Sequence, residues 1–224
     1  MPIDIPQAQK NFFFRHHYLE LEDFFDENEL PQMRAQFETM IQDKSASFYD
    51  VFLKYHDVWR SQTLMPLIRK LADVVGTLVD ARPLTLAYDQ ILRTTRDAVV
   101  DERFHALSLS ETSSVSSLVC GVIINLSEQS FLEPPEELEI GEDVSTLIPL
   151  PHTPGSVIFC APNLPLDYPK LLEIPKQLCY LVTFSNVKPL YIRCEGDLHR
   201  NKLKQLGYAF GDHLREETHP IVAH

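Results

Sequence analysis

The chain has 224 residues, 44% hydrophobic and 10% aromatic, ample material for a packed core and too apolar for a disordered chain. Twenty Lys and Arg stand against thirty-two Asp and Glu, a net charge of −12, so a phosphate backbone repels the chain unless a local basic stripe intervenes. Only seven glycines are present, about half the usual share, and neither G-x-G-x-x-G nor G-x-x-x-x-G-K occurs, which excludes the Gly-rich phosphate cradles of dinucleotide enzymes and P-loop ATPases.

The opening MPIDIPQAQK shows no basic stretch followed by an apolar core, so no signal peptide is expected. After Asp26 and Glu27, which suit a helix N-terminus, Leu30, Met33, Phe37, Met40 and Ile41 follow a 3.6-residue period, with Pro31 where a first turn tolerates it. Phe48, Val51, Phe52, Tyr55 and Trp59 form the best amphipathic pattern in the chain, with Ser45 and Ser47 as candidate caps. Leu67, Ile68, Leu71, Val74, Val75 and Leu78 make a third helical face between Pro66 and Pro83. Three helices are therefore expected before residue 82.

From Leu84 the period changes to two. Strands are expected at Leu84–Leu92, Phe104–Leu109, Ser117–Leu126, Thr146–Leu150, Ser156–Cys160, Gln177–Phe184 and Leu190–Cys194. No helical crossover separates them, so a parallel sheet is ruled out and an antiparallel sandwich or jelly roll is expected, with the helices against one sheet. The segment from Glu128 to Asp143 holds seven acids, two prolines and no positive charge, and reads as a solvated loop. Near the end Asp197 can cap a helix through Leu198, Leu203 and Leu206, stopped by Gly207, and the tail EETHPIVAH is expected to fray.

Chemistry-bearing residues are sparse. Cys120, Cys160, Cys179 and Cys194 contain no C-x-x-C pair and read as buried small hydrophobes in a reducing cytoplasm. No G-x-S-x-G elbow is present, and Ser113, Ser114, Ser116 and Ser117 read as loop or strand-edge serines. No Lys or Arg occurs between Arg103 and Lys170, and His199, Arg200, Lys202 and Lys204 read as a solvated helix face, so nucleic acid is disfavoured as a partner. The longest apolar stretch, Leu118 to Leu126, falls short of the roughly 20 residues of a membrane span. Of the nine histidines, His213, His219 and His224 fall in or beside the expected loose tail, and His105 alone lies in a strand-like segment able to face a pocket.

The order of FFFRHHYLELEDFFDENEL, a helical stretch, LIPLPHTPGSVIFCAPNLPLDYP and KQLGYAFGDHL resembles the phytanoyl-CoA dioxygenase-like branch of the Fe(II)/2-oxoglutarate oxygenases. The resemblance spans most of the chain. It implies an α+β fold in one domain: a mainly helical part at 1–82, a jelly-roll (double-stranded β-helix) core at 83–196, and a short C-terminal helix with tail at 197–224. Such oxygenases hold iron through H-x-D or H-x-E on one strand and a His on a later one. By motif, His105 matches the first ligand, but Leu107 falls at the carboxylate and Leu166 at the distal His; no H-x-D or H-x-E exists in the chain.

The basic residue that clamps 2-oxoglutarate falls near Lys176 or Gln177, and Lys176 can hold an anion only as a point charge. The resemblance therefore implies pocket residues His105, Leu107, Leu166 and Lys176 and no metal or cofactor; the partner is an unidentified small molecule or protein. Fe(II) and 2-oxoglutarate enter only if Asp101, Glu102 or Asp167 meets His105 in space, giving an active oxygenase with rearranged ligands. A divalent-cation-dependent transcription regulator is a further alternative, without a visible sensing site or recognition helix.

Overall fold

The two long apolar runs around Ile123 and Leu181 lie side by side at the centre of one sheet. The computed structural model describes residues 5–26, 28–41, 64–93, 107–128, 148–151, 153–166, 177–186, 188–197 and 199–224. Its elements are α1 (Gln7–His16), β1 (Tyr18–Leu21), α2 (Glu29–Ile41), α3 (Met65–Leu78), β2 (Leu84–Arg93), β3 (Leu118–Asn125), β4 (Val157–Cys160), β5 (Leu178–Ser185), α4 (Lys202–Gln205) and β6 (Ile221–Ala223). The six strands form one sheet in the order β1-β4-β3-β5-β2-β6, antiparallel at every pairing.

Every residue of β5 is buried. Leu178, Tyr180, Val182 and Phe184 enter an apolar cluster with α2 and α3, whereas Cys179 and Leu181 enter a second cluster on the opposite face. Leu86 of β2 and Cys120 of β3 both pair with Phe184, and the flanking pairs Tyr88–Thr183 and Leu118–Ser185 are one residue out of step. An extra residue in each neighbour of β5 bends and twists those strands. The bulge in β2 also switches its parity: Leu84 and Leu86 belong to the helix-side cluster before it, and Ile91 after it.

The helices cover one face. Asp26 Oδ1 accepts the amides of Asn28 (2.9 Å) and Glu29 (2.8 Å), and Glu29 Oε2 accepts the Asp26 amide at 3.2 Å, a reciprocal capping box that starts α2. Met33 and Phe37 then point inward, with the Phe37 ring centroid 4.7 Å from that of Tyr180. Arg34 fixes α2 to the end of β3 by donating from Nε to the Leu126 carbonyl at 2.7 Å. In α3, Ile68, Leu71, Val75 and Leu78 are fully buried behind an N-terminal Pro66. The helix expected over Phe48 to Trp59 lies outside the described residues. Among the described residues no helix is long and apolar enough to cross a membrane.

The expectations for the second layer need correction. Within Phe104–Leu109, Thr146–Leu150 and Leu190–Cys194, the described residues make only single bridges: Ser108 with Pro165, Ile148 with Leu166, Tyr191 with Val115, and Leu190 with His213. Pro149, Pro151, Pro162, Pro165 and Pro189 lie along this layer, and each removes a donor that a continuous ladder requires. The C-terminal helix is a four-residue turn, Lys202–Gln205, ended by Gly207 at φ 86°. His199, expected on a solvated face, is buried.

The tail does not fray. Its β6 pairs with β2, the Leu86 amide donates to the Pro220 carbonyl at 2.9 Å, and Arg82 Nη1 donates to the His224 carbonyl at 2.8 Å. His219 is 4% exposed, its Nδ1 lies 2.9 Å from Thr218 Oγ1, and its ring meets Tyr208 edge-on. Burial lowers its pKa to about 4. Above pH about 6.5 the imidazole is neutral in both folded and unfolded chains. Between there and about 4 the unfolded chain binds a proton that the folded chain refuses, so stability falls with falling pH, by up to about 1.4 kcal/mol per unit. Urea unfolding from pH 7 to 4.5 is expected to show a shallower decline in His219→Asn than in the wild type; equal slopes would remove His219 from the account.

Candidate functional site

The face of the sheet away from the helices is lined by Tyr88 and Leu92 of β2, Ile123 of β3, Ile158 and Cys160 of β4, and Cys179 and Leu181 of β5. Over it lie three short segments side by side. The Ser110 amide donates to the Pro162 carbonyl at 2.8 Å, the Leu166 amide to the Leu107 carbonyl at 3.2 Å, and the Ile148 amide to the Pro165 carbonyl at 2.8 Å. Leu107 and Leu166, far apart in sequence, are thus backbone neighbours. Leu166 is fully buried in the apolar cluster with Leu109 and Ile148, and Leu107 is half-buried. His105 and Lys176 lie outside the described residues, as do Asp101, Glu102 and Asp167.

The polar groups around Leu107 are already engaged. Glu111 Oε2 accepts from the Ser108 amide (2.8 Å) and hydroxyl (2.7 Å), and these bonds hold its carboxyl below the usual range. Asp197, 1% exposed, accepts the Ser114 amide at 3.0 Å and the His199 amide at 2.9 Å. It therefore ties the C-terminal turn to the loop after Leu107, not just its own helix start. Gly196 packs against that loop, where a Cβ would sit 2.3 Å from the Glu111 carbonyl oxygen. Burial pushes the Cys160 and Cys179 thiols up to about 12, so both are protonated at neutral pH and unsuited to metal binding or nucleophilic attack. Cys194 departs from the expectation of burial: it is half-buried, its thiol 2.9 Å from the Glu111 carbonyl.

No family model matches the chain, and no curated protein matches it in sequence. Solved structures do match. The non-heme alpha-ketoglutarate-dependent carbocyclase SnoK from nogalamycin biosynthesis superposes with a TM-score of 0.68 at 14% identity, covering 97% of this chain and 96% of that one. The chain has the fold of such enzymes. The epimerase SnoN, in complex with Fe3+, alpha-ketoglutarate and nogalamycin RO, gives 0.69 at 13% identity over 96% of this chain and 98% of its own. HygX from Streptomyces hygroscopicus, with nickel and 2-oxoglutarate bound, gives 0.54 at 16% identity over 96% and 99%.

Iron is the cofactor that the resemblance implies, and of its expected ligand positions only those of Leu107 and Leu166 fall among the described residues. An isobutyl group has no donor atom, and the two leucines stand together where the resemblance puts a carboxylate and an imidazole. Among the described residues no three His, Cys, Asp or Glu side chains gather as a metal would need. Two features of this region escaped sequence reasoning: the Ser108–Glu111 clasp, legible as S-x-x-E, and the close fit of Leu109 on Gly121.

That fit has a measurable cost. A Cβ on Gly121 would lie 2.2 Å from Leu109 Cδ1 and 3.1 Å from Cys160 Sγ, and the fully buried Leu109 side chain would have to repack to admit it. Gly121→Ala is expected to destabilise the fold by about 1–3 kcal/mol through overpacking, and Leu109→Ala by about 2–5 kcal/mol through the cavity it leaves. In urea unfolding the double variant should be more stable than the sum predicts, because the new methyl enters the vacated space; strict additivity would contradict the contact.

Proposed function

We propose that this chain is a jelly-roll protein of the Fe(II)/2-oxoglutarate oxygenase type, phytanoyl-CoA dioxygenase-like in its sequence order, that lacks the H-x-D...H triad. It acts in the cytoplasm as a binding scaffold for a small molecule or protein partner and not as an iron-dependent oxygenase. The pocket residues under this reading are His105, Leu107, Leu166 and Lys176. The observation that carries the reading is the 3.2 Å hydrogen bond from the Leu166 amide to the Leu107 carbonyl, with Leu166 buried among aliphatic side chains.

A carboxylate and two imidazoles balance much of the charge of Fe(II) while leaving positions open for co-substrate and oxygen. With leucine at two of the three positions, one neutral His105 imidazole is left to compete with water for the ion. The space beside Leu107 and Leu166 is then apolar, which favours a ligand recognised by shape and a few polar contacts. Lys176 supplies a cation for an anionic group, without the bidentate geometry of arginine.

Anaerobic equilibrium dialysis with Fe(II) and Mn(II), with and without 2-oxoglutarate, tests this reading. The wild type is expected to take up no stoichiometric metal at micromolar concentration and to release no succinate. The double variant Leu107→Asp/Leu166→His, which restores the family pattern behind His105, is expected to bind one equivalent and to lose it when His105→Ala is added. One equivalent bound by the wild type and lost in His105→Ala would establish an oxygenase with rearranged ligands instead.

A further inference from the structure

On the helical side of the sheet, α2 and α3 enclose a cleft of about 690 Å³, within the range of roughly 300–1,000 Å³ found for small-molecule sites. Phe25, Met33, Leu64 and Leu67 supply its apolar walls, and Glu29 and Lys70 lie at its rim. The rim is held in place from several directions. Lys70 Nζ donates to the Phe24 carbonyl at 3.0 Å and to Glu29 Oε2 at 3.4 Å, and lies 4.6 and 5.5 Å from the ring centroids of Phe24 and Phe25. The same Glu29 oxygen closes the capping box with Asp26. Both charges are therefore positioned by the start of α2, and two of the three ammonium donors are used.

We infer that this cleft binds an uncharged amphipathic small molecule: an apolar chain or ring system ending in a hydroxyl, ketone or amide. The apolar body lies against Phe25, Met33, Leu64 and Leu67, and the polar end accepts the third N–H of Lys70. The paired rim decides against charge. A carboxylate reaching Lys70 meets Glu29 on the same ammonium, and an ammonium reaching Glu29 meets Lys70, whereas a neutral oxygen leaves the ion pair intact. The site is separate from Leu107 and Leu166, which lie on the other face of the sheet, and it stands whether or not the proposed loss of iron binding does.

Titrating the full chain with Nile red, an uncharged polarity-sensitive dye, tests the inference. Saturable one-site enhancement is expected, with 1-decanol competing at least about tenfold better than decanoate. Leu67 is half-exposed, so Leu67→Trp can fill the cleft without entering the fully buried core. It is expected to weaken dye binding at least about tenfold while the urea midpoint stays near that of the wild type. Lys70→Met keeps an unbranched side chain of similar length beside the two phenyl rings but removes the donor, and is expected to weaken decanol competition about three- to tenfold. Non-saturable enhancement, equal competition by decanoate, or dye and decanol binding indifferent to both variants would overturn the site.

Discussion

The structure depends on the burial of β5 on both of its faces. Paired with β2 on one side and β3 on the other, it exposes no side chain to water, so the sheet has to be covered twice. Two amphipathic helices do this on one side, where Phe37, Ile68, Leu71 and Val75 supply a regular apolar surface. The other side carries only the four-residue α4 among the described residues, whose Leu203 joins the cluster there, and is otherwise closed by short proline-bearing segments held through isolated bridges. One polar pair is admitted beneath the helices: the Tyr180 hydroxyl donates to Asp89 Oδ2 at 2.8 Å, with both residues fully buried. Burial, then the adjoining carboxylate, pushes the Tyr180 phenol well above its ordinary value, so the hydroxyl keeps its proton and remains a donor.

The same arrangement separates two kinds of site. On the helical face, the cleft between α2 and α3 carries a fixed ion pair at its rim. On the opposite face, several groups among the described residues that could do chemistry are neutralised or occupied: thiols protonated through burial, Glu111 clasped by Ser108, and Asp197 spent on two amides. These bonds are structural because each satisfies a backbone donor in a layer where prolines and tight turns leave the ladder incomplete. A likeness of fold at 13–16% identity carries no activity with it, since function resides in the side chains of the site.

What the sequence disclosed follows the strength of the periodic signal. The runs that became β2, β3, β4 and β5 were legible because they are β-branched, apolar and bounded by turn residues, and α3 because its apolar stripe recurs over the whole helix. The helix α1 was not, since Phe12, Phe13 and Phe14 are consecutive and only Phe13 is buried. The strand β6 has three residues and depends on an edge of β2 distant in sequence, so nothing local announces it, and the tail that carries it reads in sequence as a loose end. In the site, the leucines at 107 and 166 were found by motif order, but their hydrogen-bonded adjacency is a tertiary fact. The α2–α3 cleft left only an Asp26-x-x-Glu29 trace, whose second residue does double duty in a way that no spacing rule encodes.

Under the proposed function, leucines stand where an iron site would hold a carboxylate and an imidazole, and such a difference has a thermodynamic side. A buried carboxylate or imidazole without its metal is a desolvated polar group, and that cost, about 1–3 kcal/mol even on scales drawn from protein mutations, is offset only when the ion binds. A site of that kind couples folding to metal. Leucine at the same positions removes the cost and adds apolar burial, worth roughly 25 cal/mol per Å² removed from water. Leu166, fully buried beside Leu109 and Ile148, therefore contributes to the core in its own right. Restoring the ligands is then not a neutral exchange: in the absence of metal it should weaken this face of the sheet, and any stability regained on adding Fe(II) would report the coordination directly.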